Sequence, residues 1–220
     1  MPFKYCCFIS YRNNDQSQIA KRFIKELEDA LHNELSMTLE REIFVDKKGL
    51  RGGDMIDKTL SHTLCMSACM VVVYTPTYFS KSNPYCAREY RAMQTLEQQR
   101  LPRLHERFGQ ERGTGYGLIF PLILRGAESL PAEIKERACY TSFDRFLLSS
   151  RQISKSPQLQ PDIAKLVKDI HTRTQELEAV QADLLCDCNN FTFPSVEAVR
   201  PWLDSIVPPP APFPLLSGSR

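Results

Sequence analysis

Short apolar runs constrain this chain more than any other feature. They are Tyr5–Tyr11, Ile43–Val45, Met70–Tyr74 and Leu118–Leu124, and they hardly alternate with polar residues. A strand with one face in water alternates; a strand covered on both faces does not. Between the runs lie helical patterns. Ile19, Phe23, Leu27 and Leu31 recur at spacings of four, Ile56, Leu60 and Leu64 repeat the pattern, and a third helix is expected over Cys86–Gln99. A short helix at Pro131–Arg137 precedes a fifth candidate strand, Ala138–Phe143, and Ile163, Leu166, Val167, Ile170, Thr174 and Leu177 mark one face of a further helix. Strands alternating with helices predict an α/β fold, a parallel sheet with helices on both faces.

The punctuation agrees with that order. Asn13, Asn14 and Asp15 supply helix-start chemistry after the first strand. Asp46–Asp54 is a turn-rich loop carrying Gly49, Gly52 and Gly53, and Asp54 is suited to cap the next helix. Thr75-Pro76 ends the third strand. Pro121 places the fourth at a strand end or sheet edge, and Gly109–Gly117 reads as a loop. The expected organisation is one domain over 1–184 and an appendage over 185–207. A proline-rich tail over 208–220, expected to be disordered, completes it. Within the appendage Val196, Val199, Trp202, Leu203 and Ile206 have helical spacing.

Composition excludes several classes of function. A formal net charge of +2 gives no support for nucleic-acid binding, and the mixed-charge stretch Arg100–Arg112 reads as a solvated face. No apolar run approaches the roughly 20 residues of a membrane span, and Met1–Ser10 does not read as a signal peptide, so a cytoplasmic protein without membrane contact is expected. The eight cysteines are therefore read as reduced thiols. Cys186-x-Cys188 invites a metal reading but lacks a second close pair or a neighbouring histidine, so no metal site is expected. Gly52-Gly53 lacks the remainder of a phosphate-binding loop.

Three segments then stand in a telling order: Phe8-Ile9-Ser10-Tyr11-Arg12, Ile43-Phe44-Val45-Asp46 with its glycine-rich loop, and Ser82-x-x-Tyr85-Cys86-x-x-Glu89. Together they resemble the TIR (Toll/interleukin-1 receptor) domain family over roughly residues 3–180. Within it they look most like the NAD-cleaving members of bacteria, plants and the axon-degeneration enzyme of animals. The resemblance implies a flavodoxin-like five-stranded parallel sheet with helices on both faces. It implies an NAD+ glycohydrolase that releases nicotinamide and leaves ADP-ribose or a cyclic isomer, with NAD+ as substrate and no separate cofactor. It also implies self-association through TIR–TIR contacts and, by likeness to stand-alone bacterial members, anti-phage signalling to an effector that senses a nucleotide product.

By the same resemblance Glu89 is the catalytic glutamate, one turn into its helix. Tyr11 and Arg12 end the strand that lines the dinucleotide site, while Asp46, Leu50 and Arg51 fall in the loop that gates the pocket and mediates assembly. Ser82, Tyr85 and Cys86 complete the substrate-binding set, with Tyr85 standing where many members have Trp and Cys86 in a packing role. The other reading is a non-catalytic adaptor that joins TIR domains through the same loop and has no need of Glu89.

Overall fold

The computed structural model describes residues 3–12, 18–35, 42–45, 54–109, 117–137, 143, 156–157 and 159–206. In chain order the elements are β1 (Tyr5–Tyr11), α1 (Gln18–Leu35), β2 (Glu42–Val45), α2 (Asp54–Cys65), β3 (Ser67–Tyr74), α3 (Tyr85–Phe108) and β4 (Ile119–Ile123). A short 3-10 turn, Ala127–Ser129, then leads to α4 (Ala132–Lys135), α5 (Gln160–Ala179), a second 3-10 turn at Ala182–Leu185, and α6 (Val196–Ile206).

The strands lie in the order β2-β1-β3-β4 and every pairing is parallel. All eight residues of β3 are buried, as are the five of β4, which is why both read as unbroken apolar runs. The chain leaves β1 in one direction to form β2, then reverses to form β3 and β4. Right-handed crossovers therefore put α1 on one face and α2 and α3 on the other. α5 packs beside α1, and its buried residues include all six that the spacing predicts.

The described sheet has four strands where five are expected. Of 138–143 only Phe143 is described, and it is buried with its ring edge-on to Phe23. The features expected at Asn13–Asp15, 46–53, 110–116 and 208–220 also lie outside the described residues.

Three local expectations change. Ile19, in the first turn of α1, is 46% exposed and does not join the core face. Ile24 and Leu35 join Phe23, Leu27 and Leu31 instead. Helix α3 runs through Pro102 to Phe108 rather than ending at Gln99, held by Leu104 in the core and by Arg100. Arg100 is not part of a solvated face: it is 0% exposed and donates through Nη1 to the Ser67 carbonyl (2.8 Å) and through Nη2 to the Cys65 carbonyl (2.6 Å). Pro121 lies mid-strand in β4, opposite Val72, and β4 is the outer strand of the described sheet.

The C-terminal segment packs onto the domain. Trp202 of α6 stacks on Tyr90 of α3 (centroids 5.9 Å apart) and donates from Nε1 to Glu133 Oε1 at 2.9 Å. The expectation of uniformly reduced thiols also fails. Cys65, at the end of α2, is joined to Cys188 in a disulfide, across a sequence separation of 123 that no local pattern could reveal.

Candidate functional site

The strand order reverses between β1 and β3, and ligands of open α/β sheets bind outside the carboxyl ends of the strands at such a point. Ser10, paired in register with Val72, stands at the end of β1 and is buried. Tyr78 follows β3 and is buried, and Glu89 lies one turn into α3. These three meet. Ser10 Oγ donates to Glu89 Oε2 at 2.5 Å, and the Tyr78 hydroxyl is 2.7 Å from Ser10 Oγ. A serine hydroxyl has one proton, and Ser10 gives it to Glu89, so Tyr78 is the donor to Ser10. The result is a hydroxyl relay, Tyr78 to Ser10 to Glu89, that fixes the carboxylate at the sheet's switch point.

Burial pushes the Tyr78 hydroxyl well above the usual tyrosine range, and the nearby Cys86 and Glu89 push it further. Tyr78 is therefore a neutral donor at every physiological pH. Glu89 itself is 5% exposed. Its carboxylate is turned in toward the strand ends and away from bulk water.

Glu89 lies on the helix after β3, and neither Ser10 nor Tyr78 is among the site residues that the resemblance implies. Ser10 carried one signal, a small hydroxyl at the end of an otherwise apolar strand. Tyr78 carried none, because nothing in a turn sequence distinguishes an aromatic that folds inward.

The remaining predicted residues spread around this centre. Cys86 is buried beneath the start of α3. Tyr11 is half-buried against the core. Arg12 Nη1 donates to the Thr77 carbonyl at 2.7 Å, tying the end of β1 to the segment after β3 and leaving a cation beside the carboxyl end of β1. Tyr85 is 40% exposed, with the Arg88 guanidinium 5.6 Å from its ring centroid. Arg88 is anchored by Asp57 of α2 at 2.6 Å and by the Pro194 carbonyl at 2.8 Å, so α2, α3 and the C-terminal segment converge beside Tyr85. Ser82 is exposed and bonds Ser80 at 2.9 Å; no described contact brings it to Glu89. Asp46, Leu50 and Arg51 lie outside the described residues.

A second buried carboxylate on α3 contrasts with the first. Glu97 is gripped by the fork of Arg137, with Nη1 to Oε1 at 2.9 Å and Nη2 to Oε2 at 2.8 Å, and accepts the Leu118 N–H at 2.6 Å. Arg137 Nε reaches the Tyr90 hydroxyl at 3.0 Å. Gly117 passes so close that a Cβ there would overlap Glu97 Oε1. This cluster joins α3 to β4 and α4, away from the strand ends.

A cavity of about 490 Å³ lies elsewhere, lined by Glu26, Glu28, Asp29, His32 and Asn33 of α1 and Ile43 of β2. Its carboxylates would repel a diphosphate, so it is a poor dinucleotide site despite its size. No described helix is long and apolar enough to cross a membrane.

A family model described as TIR domain matches residues 7–144. Among solved structures, the chain is similar to one titled as the activated Roq1 resistosome directly recognizing the pathogen effector XopQ (TIR domains). The identity is 17%, over 91% of this chain and 98% of that one, and the TM-score is 0.34. A likeness that weak carries no functional weight. No curated protein matches the chain.

Proposed function

Because this chain belongs to the TIR domain family, we propose that it cleaves the nicotinamide–ribose bond of NAD+, with Glu89 as its catalytic residue. The observation that carries this reading is the carboxylate of Glu89, oriented by Ser10 and Tyr78 at the carboxyl ends of β1 and β3.

The chemistry suits a single carboxylate. Nicotinamide is bound to ribose as a cationic pyridinium and leaves as a neutral base, so no general acid is needed. Ordinary glycoside hydrolysis needs two carboxylates, one of them to protonate the leaving group. Here positive charge grows on the ribose as the bond breaks. A fixed carboxylate near the ribose hydroxyls stabilises that charge, and one preorganised contact of this kind is worth roughly 3–4 kcal/mol. Water then adds to the anomeric carbon to give ADP-ribose, or an adenine or ribose nucleophile of the same molecule adds to give a cyclic isomer. Arg12, just past the end of β1, is suited to meet the diphosphate, since a guanidinium matches phosphate oxygens. Tyr85, the exposed aromatic of the motif, is suited to stack on a flat ring.

Assembly belongs to the same proposal. The loop at 46–54 of one domain completes the pocket of a neighbour, so specific activity rises with protein concentration. The biological setting proposed is bacterial anti-phage signalling, in which NAD+ loss or a nucleotide product acts on an effector.

The adaptor reading has one observation in its favour: Glu89 is 5% exposed. A carboxylate so enclosed also serves simply to tie α3 to β1. Chromatography of NAD+ incubated with the assembled protein separates the two. Nicotinamide release with a linear or cyclic nucleotide supports catalysis; assembly without release supports the adaptor.

A further inference from the structure

Two stretches far apart in sequence bring three cysteines together at the end of α2. The sulfur atoms of Cys65, Cys186 and Cys188 all lie within 4.8 Å of one another. Cys65 and Cys188 form the disulfide, and Cys186 beside them is a half-buried free thiol. A disulfide accounts for two of the three sulfurs and leaves the third unexplained. We propose that in the reduced protein Cys65, Cys186 and Cys188 form a site for a zinc-class divalent cation, which clasps the C-terminal segment onto α2.

Geometry supports this. Zinc binds thiolates at about 2.3 Å in a tetrahedron, which sets sulfurs roughly 3.8 Å apart. Sulfurs already within 4.8 Å reach that spacing by small side-chain rotations once the disulfide opens. Cys65 sits on a helix end and Cys186-x-Cys188 on a tight turn, a division of ligands between two short elements. The imidazole of His62 lies one helical turn before Cys65, with Nδ1 2.9 Å from the Cys188 carbonyl. Its ring nitrogens are not among the donor atoms within 4.8 Å of one another, so three sulfurs are the protein's ligands and the fourth position falls to water or another small ligand.

Charge supports it as well. Three thiolates around a divalent cation carry one net negative charge. Arg100, fully buried, has no carboxylate bonded to it among the described residues, and its Nε has no hydrogen-bond partner there. Its guanidinium bonds the Cys65 carbonyl and is cationic at neutral pH, so it would balance the metal-bound cluster. A neutral disulfide beside a neutral thiol offers no such balance.

The disulfide and the metal exclude one another. A dithiol reductant takes up the disulfide, passing two electrons to Cys65 and Cys188 and becoming a cyclic disulfide itself. The cation then displaces the protons of three thiols. The test uses the full chain reduced with a phosphine, freed of reductant without air, and titrated with Co2+ and then Zn2+. One cobalt per chain with a thiolate charge-transfer band, displaced by zinc, and a zinc-dependent rise in melting temperature are expected. Cys186→Ser keeps the disulfide under oxidising conditions, checked by alkylation and mass spectrometry, so its fold is preserved. It should lose the cobalt band and weaken zinc binding by more than the roughly 10–100-fold cost of losing a partner behind a ligand. A reduced wild-type protein with no thiolate–cobalt band, or Cys186→Ser binding zinc as tightly as wild type, overturns the proposal. A reduced protein whose melting ignores zinc overturns it too, and leaves the cluster a simple disulfide clasp.

Discussion

Glu89 and Glu97 stand on the same helix, both nearly excluded from water, at 5% and 7% exposure. Their partners differ. Arg137 grips both oxygens of Glu97 and the Leu118 N–H adds a third bond, so that carboxylate joins α3 to β4 and α4. Glu89 accepts from Ser10, which is held in turn by Tyr78, at the carboxyl ends of β1 and β3. The Arg137 fork gives Glu97 both orientation and opposite charge, while the Ser10 hydroxyl gives Glu89 orientation. One glutamate on α3 is thus committed to the fold, and the other is aimed at the place where an α/β sheet binds its ligands. Burial by itself does not separate the two roles; the identity and location of the partners does.

The contrast is most open to attack at Glu97. Glu97→Ala leaves Arg137 buried without its carboxylate and should lower stability by about 3–5 kcal/mol, read as a fall in the urea midpoint with unchanged slope. A near-neutral Glu97→Ala would remove the structural half of the comparison. Arg137→Lys keeps the charge but loses the fork and the bond to Tyr90, and should cost about 2 kcal/mol in the same assay. Ser10→Ala removes the hydroxyl that orients Glu89. It should lower kcat for nicotinamide release by roughly tenfold, about 1.4 kcal/mol, with KM little changed. A pure KM effect would assign Ser10 to substrate binding instead.

The smallest effect concerns alkaline stability. The Tyr78 hydroxyl titrates well above its unfolded value of about 10, because burial disfavours the phenolate. A raised folded pKa contributes stability that is complete below pH ~10 and is lost as pH rises past it. Thermal midpoints should therefore fall above pH ~10, and Tyr78→Phe should make that fall shallower. Some slope remains in the variant, since Tyr74 and Tyr90 are shifted the same way by burial.

The sheet was readable in advance because parallel strands covered on both faces leave unbroken apolar runs, as β1 and β3 do. Helix α5 is readable because five apolar positions and Thr174 keep one face. The family-like motif located Glu89 on its helix. What the chain did not disclose were contacts between residues distant in sequence: Ser10 with Tyr78, Glu97 with Arg137, Cys65 with Cys188. Arg100 misled for a related reason. Local charge density marks a surface, yet one arginine in that stretch turns inward to cap the carbonyls at the α2–β3 junction. Ser82 was drawn into the site by its motif, but its hydroxyl faces Ser80 in an exposed turn.

The measurement that bears most directly on the central claim is the rate of nicotinamide release by Glu89→Gln beside its thermal midpoint, in assembled protein. Glutamine keeps the shape and still accepts the Ser10 proton, so the fold should hold within about 1 kcal/mol. The lost charge should cut the rate at least about a hundredfold. Wild-type turnover in Glu89→Gln would contradict the account, as would a stability loss as large as that of Glu97→Ala, which would make both glutamates parts of the scaffold.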